Sequence, residues 1–155
     1  MGTYDEERLP GAGRPGDLRA DYRVAPWVTF TDSELGRVGL TEAEAIEAGH
    51  RVAIGRTSFA DVERAKIQNE TRGTVKIVAE RGTGQILGAT VLGPSGGELI
   101  HELALAMRMR VPVAEVFHTI HAYPTLSEAV RWAAEQAASA ATPSALPSSP
   151  GTQPR

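Results

Sequence analysis

Alternating apolar and polar residues in several short segments of the chain predict β-strands. The segment RVAIGRTSF, from Arg51, alternates clearly, and apolar runs rich in β-formers occupy RVAPWVTF, from Arg23, and residues 74–80 and 85–92. Such patterns are typical of strands with a buried face. A glycine-bearing turn at 82–84 lies between the last two runs, which predicts that they pair as a hairpin.

Four further segments carry helical signals. LTEAEAIEAGH places Thr41 three residues before Glu44 and ends near Gly49, which predicts a capping box at the start of a helix and a glycine stop at its end. SGGELIHELALAMRMRV, from Ser95, predicts a longer helix with an apolar stripe that contains Leu99, Leu103, Ala106, Met107 and Met109. VPVAEVFHTI (111–120) predicts a shorter helix, and TLSEAVRWAAEQAA (125–138) predicts the last one.

The order of these elements is a strand, a helix, three strands and three helices. Grouped strands followed by grouped helices predict an α+β fold with a largely antiparallel sheet covered on one face by helices. Residues 1–23 combine glycine, proline and charge without a hydrophobic period, so we expect a flexible leader. Residues 139–155 are rich in proline and serine, so we expect a disordered tail. The folded domain is then 24–138.

Composition excludes several classes of function. The net charge is -3, so no basic field is available to attract nucleic acid or anionic lipid. No apolar run is long enough to span a membrane, and the N-terminus lacks the apolar segment of a signal peptide, so we expect a cytoplasmic protein. The chain has no cysteine, which excludes thiol redox chemistry and thiolate metal sites within it.

The densest polar chemistry lies in HTIHAYPTLSEAV, residues 118–130. His118 and His121 are three residues apart and could share a helix face, but two histidines do not complete a metal site, so we predict none. Pro124 favours an extended Tyr123 immediately before a helix. A phenol in that place can donate, accept or transfer a proton.

Glu128 has two interpretations. Thr125 lies three residues before it, as Thr41 precedes Glu44 and Ser95 precedes Glu98. This spacing alone favours a helix cap over a catalytic role.

Three segments in the same order resemble a known family. They are APWVTFTDSELGRVGLTEAEA (25–45), ILGATVLGPSGGELIHELALAM (86–107) and HTIHAYPTLSEAV (118–130). Together they resemble the C-terminal dimerisation domain of the FAD-dependent pyridine nucleotide–disulfide oxidoreductases. The resemblance implies that fold and a homodimer whose two-fold interface uses the helices predicted at 94–110 and 125–138.

The resemblance also implies roles for residues of the closing motif. In most members of this family the motif reads His-Pro-Thr-x-x-Glu, and its histidine acts as acid and base at the flavin site of the opposite subunit. Tyr123 stands at the histidine position and Glu128 at the glutamate position, while His121 stands where lipoamide-type members often have a second histidine. The implied catalytic residues are therefore Tyr123, Glu128 and His121, and the implied flavin contacts are Tyr123 and Pro124.

With a tyrosine at this position, the motif resembles that of mercuric-reductase-like members. A phenol, with an ordinary pKa of about 10, is a weaker base at neutral pH than an imidazole, with a pKa of about 6.5. The tyrosine therefore argues against a standard lipoamide or glutathione reductase, and favours metal ions, quinones or other electron acceptors.

The FAD fingerprint, redox disulfide and NAD(P) domain that precede this domain in the family are not found in the sequence. The letters GAGRPG at 11–16 match a dinucleotide fingerprint but have no strand before them and no helical pattern after them. The resemblance thus implies FAD and NAD(P) in the full enzyme and none bound by this chain alone. Its partners would be a second copy and a separately encoded FAD/NAD(P) domain. The alternatives are a stand-alone, non-catalytic interaction module and a truncation product.

Overall fold

The computed structural model describes residues 22–142. The segment at 11–16, most of the predicted leader and the predicted tail from residue 143 onwards lie outside the described residues. The strands and helices are β1 (Trp27–Thr29), β2 (Glu34–Gly39), α1 (Glu42–Glu47), β3 (Val52–Ser58), α2 (Glu63–Gln68), β4 (Thr74–Glu80), β5 (Ile86–Gly93), α3 (Gly96–Arg108), α4 (Val113–His118) and α5 (Glu128–Ala141).

One five-stranded sheet organises the domain. Its strand order is β1-β2-β5-β4-β3, and every neighbouring pair is antiparallel. Helices α3 and α5 pack on one face of it, and the core lies between them and alternate strand residues, among them Val38, Val75, Ile77, Val91, Ile100, Leu103, Val130 and Ala133. The predicted α+β fold, with helices on one face of an antiparallel sheet, is confirmed.

Helix α5 lies directly against β3 because both surfaces are small. A Cβ atom at Gly55 would be 1.8 Å from the Ala133 carbonyl oxygen, so at this position glycine alone permits the approach. The facing side of α5 consists largely of buried alanines: Ala129, Ala133, Ala134, Ala137 and Ala141. In addition, the Gln136 side-chain oxygen accepts a hydrogen bond of 3.3 Å from the Arg56 backbone N–H.

Helix α1 is attached to the opposite face of the sheet by ion pairs. The Glu42 carboxylate lies 2.5 Å from Lys76 Nζ and 3.3 Å from an Arg56 guanidinium nitrogen. These two residues face away from α5, because Arg56 follows the α5-facing Gly55 and is paired with Lys76 in the sheet. The hydrogen bond and the positive charge of Lys76 lower the pKa of Glu42.

Two elements were not predicted from the sequence. β2 contains Gly36, Arg37 and Gly39 and lacks a continuous apolar run, yet it pairs with β5 along its whole length. α2 is six residues long, which is too short for a helical period to stand out. The predicted first strand was also too long, since β1 covers Trp27–Thr29.

The predicted helices differ from the observed ones at their ends. α3 ends at Arg108, so Met109 is exposed rather than buried, while Ile100 and Ala104 join Leu103 and Ala106 on the buried side. The Ser95–Glu98 capping box is absent, because Ser95 has a left-handed φ of 54° and makes no side-chain cap bond. The Glu34 carboxylate accepts from the Gly97 N–H instead, at 2.9 Å.

The last helix is shifted along the chain. α5 begins at Glu128 and ends at Ala141, three residues later at each end than the predicted 125–138. It therefore extends beyond the predicted domain end at Ala138. Among residues 22–142, no helix is both long and apolar enough to cross a membrane.

Candidate functional site

The segment between α4 and α5 presents Tyr123 at the surface. The Tyr123 side chain is largely exposed, at 72%, and Pro124, which follows it through a cis peptide bond, is exposed as well. Ile120, on the same segment, is 96% exposed. Within residues 22–142 the Tyr123 phenol makes no hydrogen bond, so its donor and acceptor capacity is available to another molecule.

Glu128 is buried beneath the turn that follows Pro124. It is 8% exposed, and its Oε2 accepts a hydrogen bond of 3.3 Å from the Thr125 backbone N–H. The Thr125 hydroxyl does not complete the capping box, because it donates to the Ala122 carbonyl at 2.6 Å and contacts the Ser127 hydroxyl at 2.7 Å. Glu128 thus fixes the turn, and in the described residues its carboxylate makes no hydrogen bond to Tyr123.

His121 lies in the interior next to α3. Its side chain is 5% exposed; Nε2 is 2.9 Å from Glu102 Oε1 and Nδ1 is 2.8 Å from the Thr119 carbonyl oxygen. Sequence reasoning missed Glu102, which is 19 residues away along the chain and belongs to no recognisable motif.

His118 does not share a helix face with His121, because α4 ends at His118 and His121 lies in the following segment. The His118 side chain is 62% exposed and 3.8 Å from Glu115. No group of three or more potential metal-ligating His, Cys, Asp or Glu residues occurs in the described part of the chain.

Helix α2, which the sequence did not reveal, carries an exposed ion pair. The Glu63 carboxylate hydrogen bonds to Lys66 Nζ at 2.8 Å and raises the pKa of Lys66, and Tyr123 contributes weakly in the same direction. The ion pair therefore favours the charged form of Lys66 on the surface of α2.

The chain matches the family model described as the pyridine nucleotide-disulphide oxidoreductase dimerisation domain, over residues 25–134. It belongs to this family. Among curated relatives, it is 44% identical over 126 residues to dihydrolipoyl dehydrogenase of Haloferax volcanii, an alignment that covers 81% of this chain and 26% of that protein. It is 39% identical over 116 residues to the human mitochondrial dihydrolipoyl dehydrogenase, covering 75% of this chain and 23% of the relative.

Solved structures give the same result for the fold. LpdA from Mycobacterium tuberculosis superimposes with a TM-score of 0.72 at 29% identity, covering 77% of this chain and 26% of that one. The HOCl-induced flavoprotein disulfide reductase RclA from Escherichia coli superimposes with a TM-score of 0.72 at 28% identity, covering 84% and 29%. The chain spans about a quarter of the length of the relatives it matches. The predicted family is confirmed, and these relatives carry names other than mercuric reductase.

Proposed function

We propose that this chain is the dimerisation part of a flavin-dependent NAD(P)H oxidoreductase of the dihydrolipoamide dehydrogenase and mercuric reductase type. Two copies would pair, and each would present Tyr123 to the flavin site of the other. One observation carries the proposal: in a chain of this family, the closing motif leaves Tyr123 exposed on a turn fixed by the buried Glu128. The segment is thus built to present a phenol.

The residues of the segment fit a flavin held by other domains. Tyr123 and Pro124 are uncovered, so an aromatic ring system can lie against them without any rearrangement of the core. FAD, when bound, would supply electron transfer between NAD(P)H and the acceptor. In this proposal the domains that bind FAD and NAD(P) are outside this chain, and Tyr123 contributes hydrogen bonding and proton transfer.

Tyrosine in place of histidine favours a different electron acceptor. A phenol is protonated at neutral pH, so it acts more readily as a proton donor than as a base for a dithiol. A quinone oxygen, which gains a proton on reduction, suits such a donor. We therefore propose a quinone or a metal ion as the acceptor, as in the mercuric-reductase-like members, rather than lipoamide.

Reconstitution tests the proposal. The chain is mixed with a separately expressed FAD/NAD(P) half of a related reductase, and NAD(P)H oxidation is followed with lipoamide, a quinone or Hg²⁺ as acceptor. We expect activity only in the mixture, and more of it with the quinone or the metal ion. The proposal fails if mixing restores no oxidation with any acceptor and the purified chain carries no flavoprotein partner.

Tyr123→Phe tests the proton-donor role. Removing the hydroxyl should lower the rate by about 10²–10⁴-fold, the usual contribution of a positioned acid or base. Tyr22→Phe is the matched control, because Tyr22 is similarly exposed but lies outside the motif. Unchanged rates across pH for Tyr123→Phe would reduce Tyr123 to a packing residue.

A stand-alone, non-catalytic interaction module is the alternative. Such a module would keep the fold of this family and its dimer surface but would carry out no chemistry. In that case the chain would form a stable dimer, and adding the FAD/NAD(P) half would change neither its association state nor the rate of NAD(P)H oxidation.

A further inference from the structure

We infer that His121 is a positioning residue that links the Tyr123 segment to α3 through Glu102. The resemblance to the family allowed a second possibility, namely that His121 supplies the base that Tyr123 cannot. The two roles make different demands on the imidazole. A base needs a free nitrogen that faces its substrate, whereas a positioning residue needs its nitrogens bonded within the protein.

The geometry meets the second demand. Nδ1 is hydrogen bonded to the Thr119 carbonyl and Nε2 to the Glu102 carboxylate, and 5% of the side chain is exposed. Neither nitrogen is therefore free to exchange a proton with a molecule at the surface. An acid or base must come within hydrogen-bonding distance of the group that it serves, and Tyr123 rather than His121 is exposed.

His121 completes a set of attachments on both sides of Tyr123. On the N-terminal side, the Thr119 hydroxyl donates to the Glu115 carbonyl of α4 at 2.8 Å, and His121 then bonds to Glu102 of α3. On the C-terminal side, Thr125 bonds to Glu128 of α5. Tyr123 lies two residues from His121 and two from Thr125, so these bonds restrict its backbone from both directions.

The effect of this link on catalysis rests on the proposed function, but its effect on the order of the segment does not. The first experiment therefore uses the 155-residue chain alone and measures backbone order parameters for residues 119–127 by NMR. Two amide substitutions separate the two ring nitrogens. The amide nitrogen of Gln lies near the place of Nε2, and that of Asn lies near the place of Nδ1.

His121→Gln should keep the bond to Glu102 and leave residues 119–127 rigid, with order parameters of about 0.85. His121→Asn should lose that bond, and values near Tyr123 should fall below about 0.6. Glu102→Ala should give the same loss with the histidine intact, which keeps the test valid if His121→Asn fails to fold. His118→Asn is the control, because the His118 side chain is exposed. A segment that stays rigid in both His121→Asn and Glu102→Ala overturns the inference.

The second experiment uses the reconstituted enzyme. A positioning role predicts that His121→Gln retains most of the rate, that His121→Asn loses about tenfold or more, and that the shape of the pH–rate profile is unchanged. A base role predicts that the rate falls by about 10²–10⁴-fold in both variants and that the acidic limb of the pH–rate profile disappears. That result would overturn the inference. If the segment loosens as expected, but no mixture is active and the purified chain carries no flavoprotein partner, the link stands and the proposed function fails.

Discussion

Thr41 and Thr125 each precede a glutamate by three residues, but the two sites differ in structure. At α1 both capping bonds form: the Glu44 N–H donates to the Thr41 hydroxyl at 3.1 Å, and the Thr41 N–H donates to the Glu44 carboxylate at 2.7 Å. At α5 only the carboxylate bond forms, at 3.3 Å, and the threonine hydroxyl bonds to the preceding turn. The first site starts a helix, whereas the second also fixes the segment that presents Tyr123.

A third occurrence of the pattern, Ser95 with Glu98, forms no capping box at all. Instead, the carboxylate of Glu34, from the neighbouring strand β2, accepts a hydrogen bond from the Gly97 N–H in the first turn of α3. The three sites show that the spacing defines which hydrogen bonds are available and that tertiary contacts decide which of them form. The predictions below test this difference, beginning with the largest expected effect.

Gly55→Ala should disturb the Thr125–Glu128 site and leave the Thr41–Glu44 site intact, with the largest effect of the substitutions considered. The new methyl group would collide with the Ala133 carbonyl, so α5 must move away from β3 and carry Glu128 with it. We expect the free energy of unfolding to fall by about 3 kcal/mol or more, measured by urea denaturation. Amide exchange should increase around Thr125 but remain low around Thr41.

Gly49→Ala is the control for that substitution. Its Cβ would meet no atom within 4 Å, and its φ is +88°, so the expected cost is about 1 kcal/mol from the left-handed backbone alone. Equal costs for the two substitutions would contradict the close packing of α5.

Glu128→Ala should cost more than Glu44→Ala. Glu128 is buried, and its removal leaves the Thr125 N–H without its acceptor, at about 1–3 kcal/mol. Glu44 is exposed, and water can replace its carboxylate. Glu128→Gln should recover most of the loss, since the amide oxygen can accept the same bond. If the two alanine variants unfold at the same urea concentration, burial does not distinguish the sites.

Ser95→Gly should stabilise the domain slightly. Ser95 has a left-handed φ, which costs a residue with a side chain about 1–2 kcal/mol, and the greater freedom of glycine in the unfolded chain offsets part of that gain. We expect a net gain of about 0.5 kcal/mol in thermal or urea unfolding. A true serine cap would instead lose a few tenths, so the sign of the change separates the two interpretations.

Acidification should remove the smallest of these effects. The Thr41 backbone hydrogen bond, with a smaller contribution from Arg37, holds the pKa of Glu44 below its ordinary 4.5. A carboxyl with a lowered folded-state pKa stabilises the protein above the unfolded value, and this contribution is lost as the pH falls through the folded value. The stability difference between the native chain and Glu44→Gln should therefore be largest near neutral pH and disappear in acid, as followed by urea unfolding at several pH values. A difference that is independent of pH would exclude the carboxylate as its source.

Much of the fold is predictable from local signals. The box at Thr41, the glycine turn at 82–84 and the apolar residues of β4 and β5 each act within a few residues, and all three occur where the sequence predicts them. β2 escaped prediction because its glycine at position 36 is required by a contact with a residue far away in the sequence. A Cβ at Gly36 would lie 2.3 Å from the Gly96 carbonyl oxygen. The sequence alone does not distinguish a strand glycine that is required by packing from a glycine in a loop.

The candidate site is predictable in part. The motif around Tyr123 is contiguous, so its residues can be aligned with those of the family one by one. The bond between His121 and Glu102 joins α3 to a segment beyond α4, and no spacing within the sequence encodes it. The exposure of Tyr123 and the burial of His121, two residues apart, follow from that bond and from the turn held by Glu128.

The bond between Gln136 and the Arg56 N–H has a consequence for the solution behaviour of the domain. β3 is the last strand of the sheet on its side, and unpaired N–H and C=O groups on such a strand can template the addition of another chain. Gln136 satisfies one of these donors from α5, so an incoming strand would have to displace the helix side chain before it could pair. The helix that begins at Glu128 thereby also makes this edge of the sheet less available for pairing with another strand.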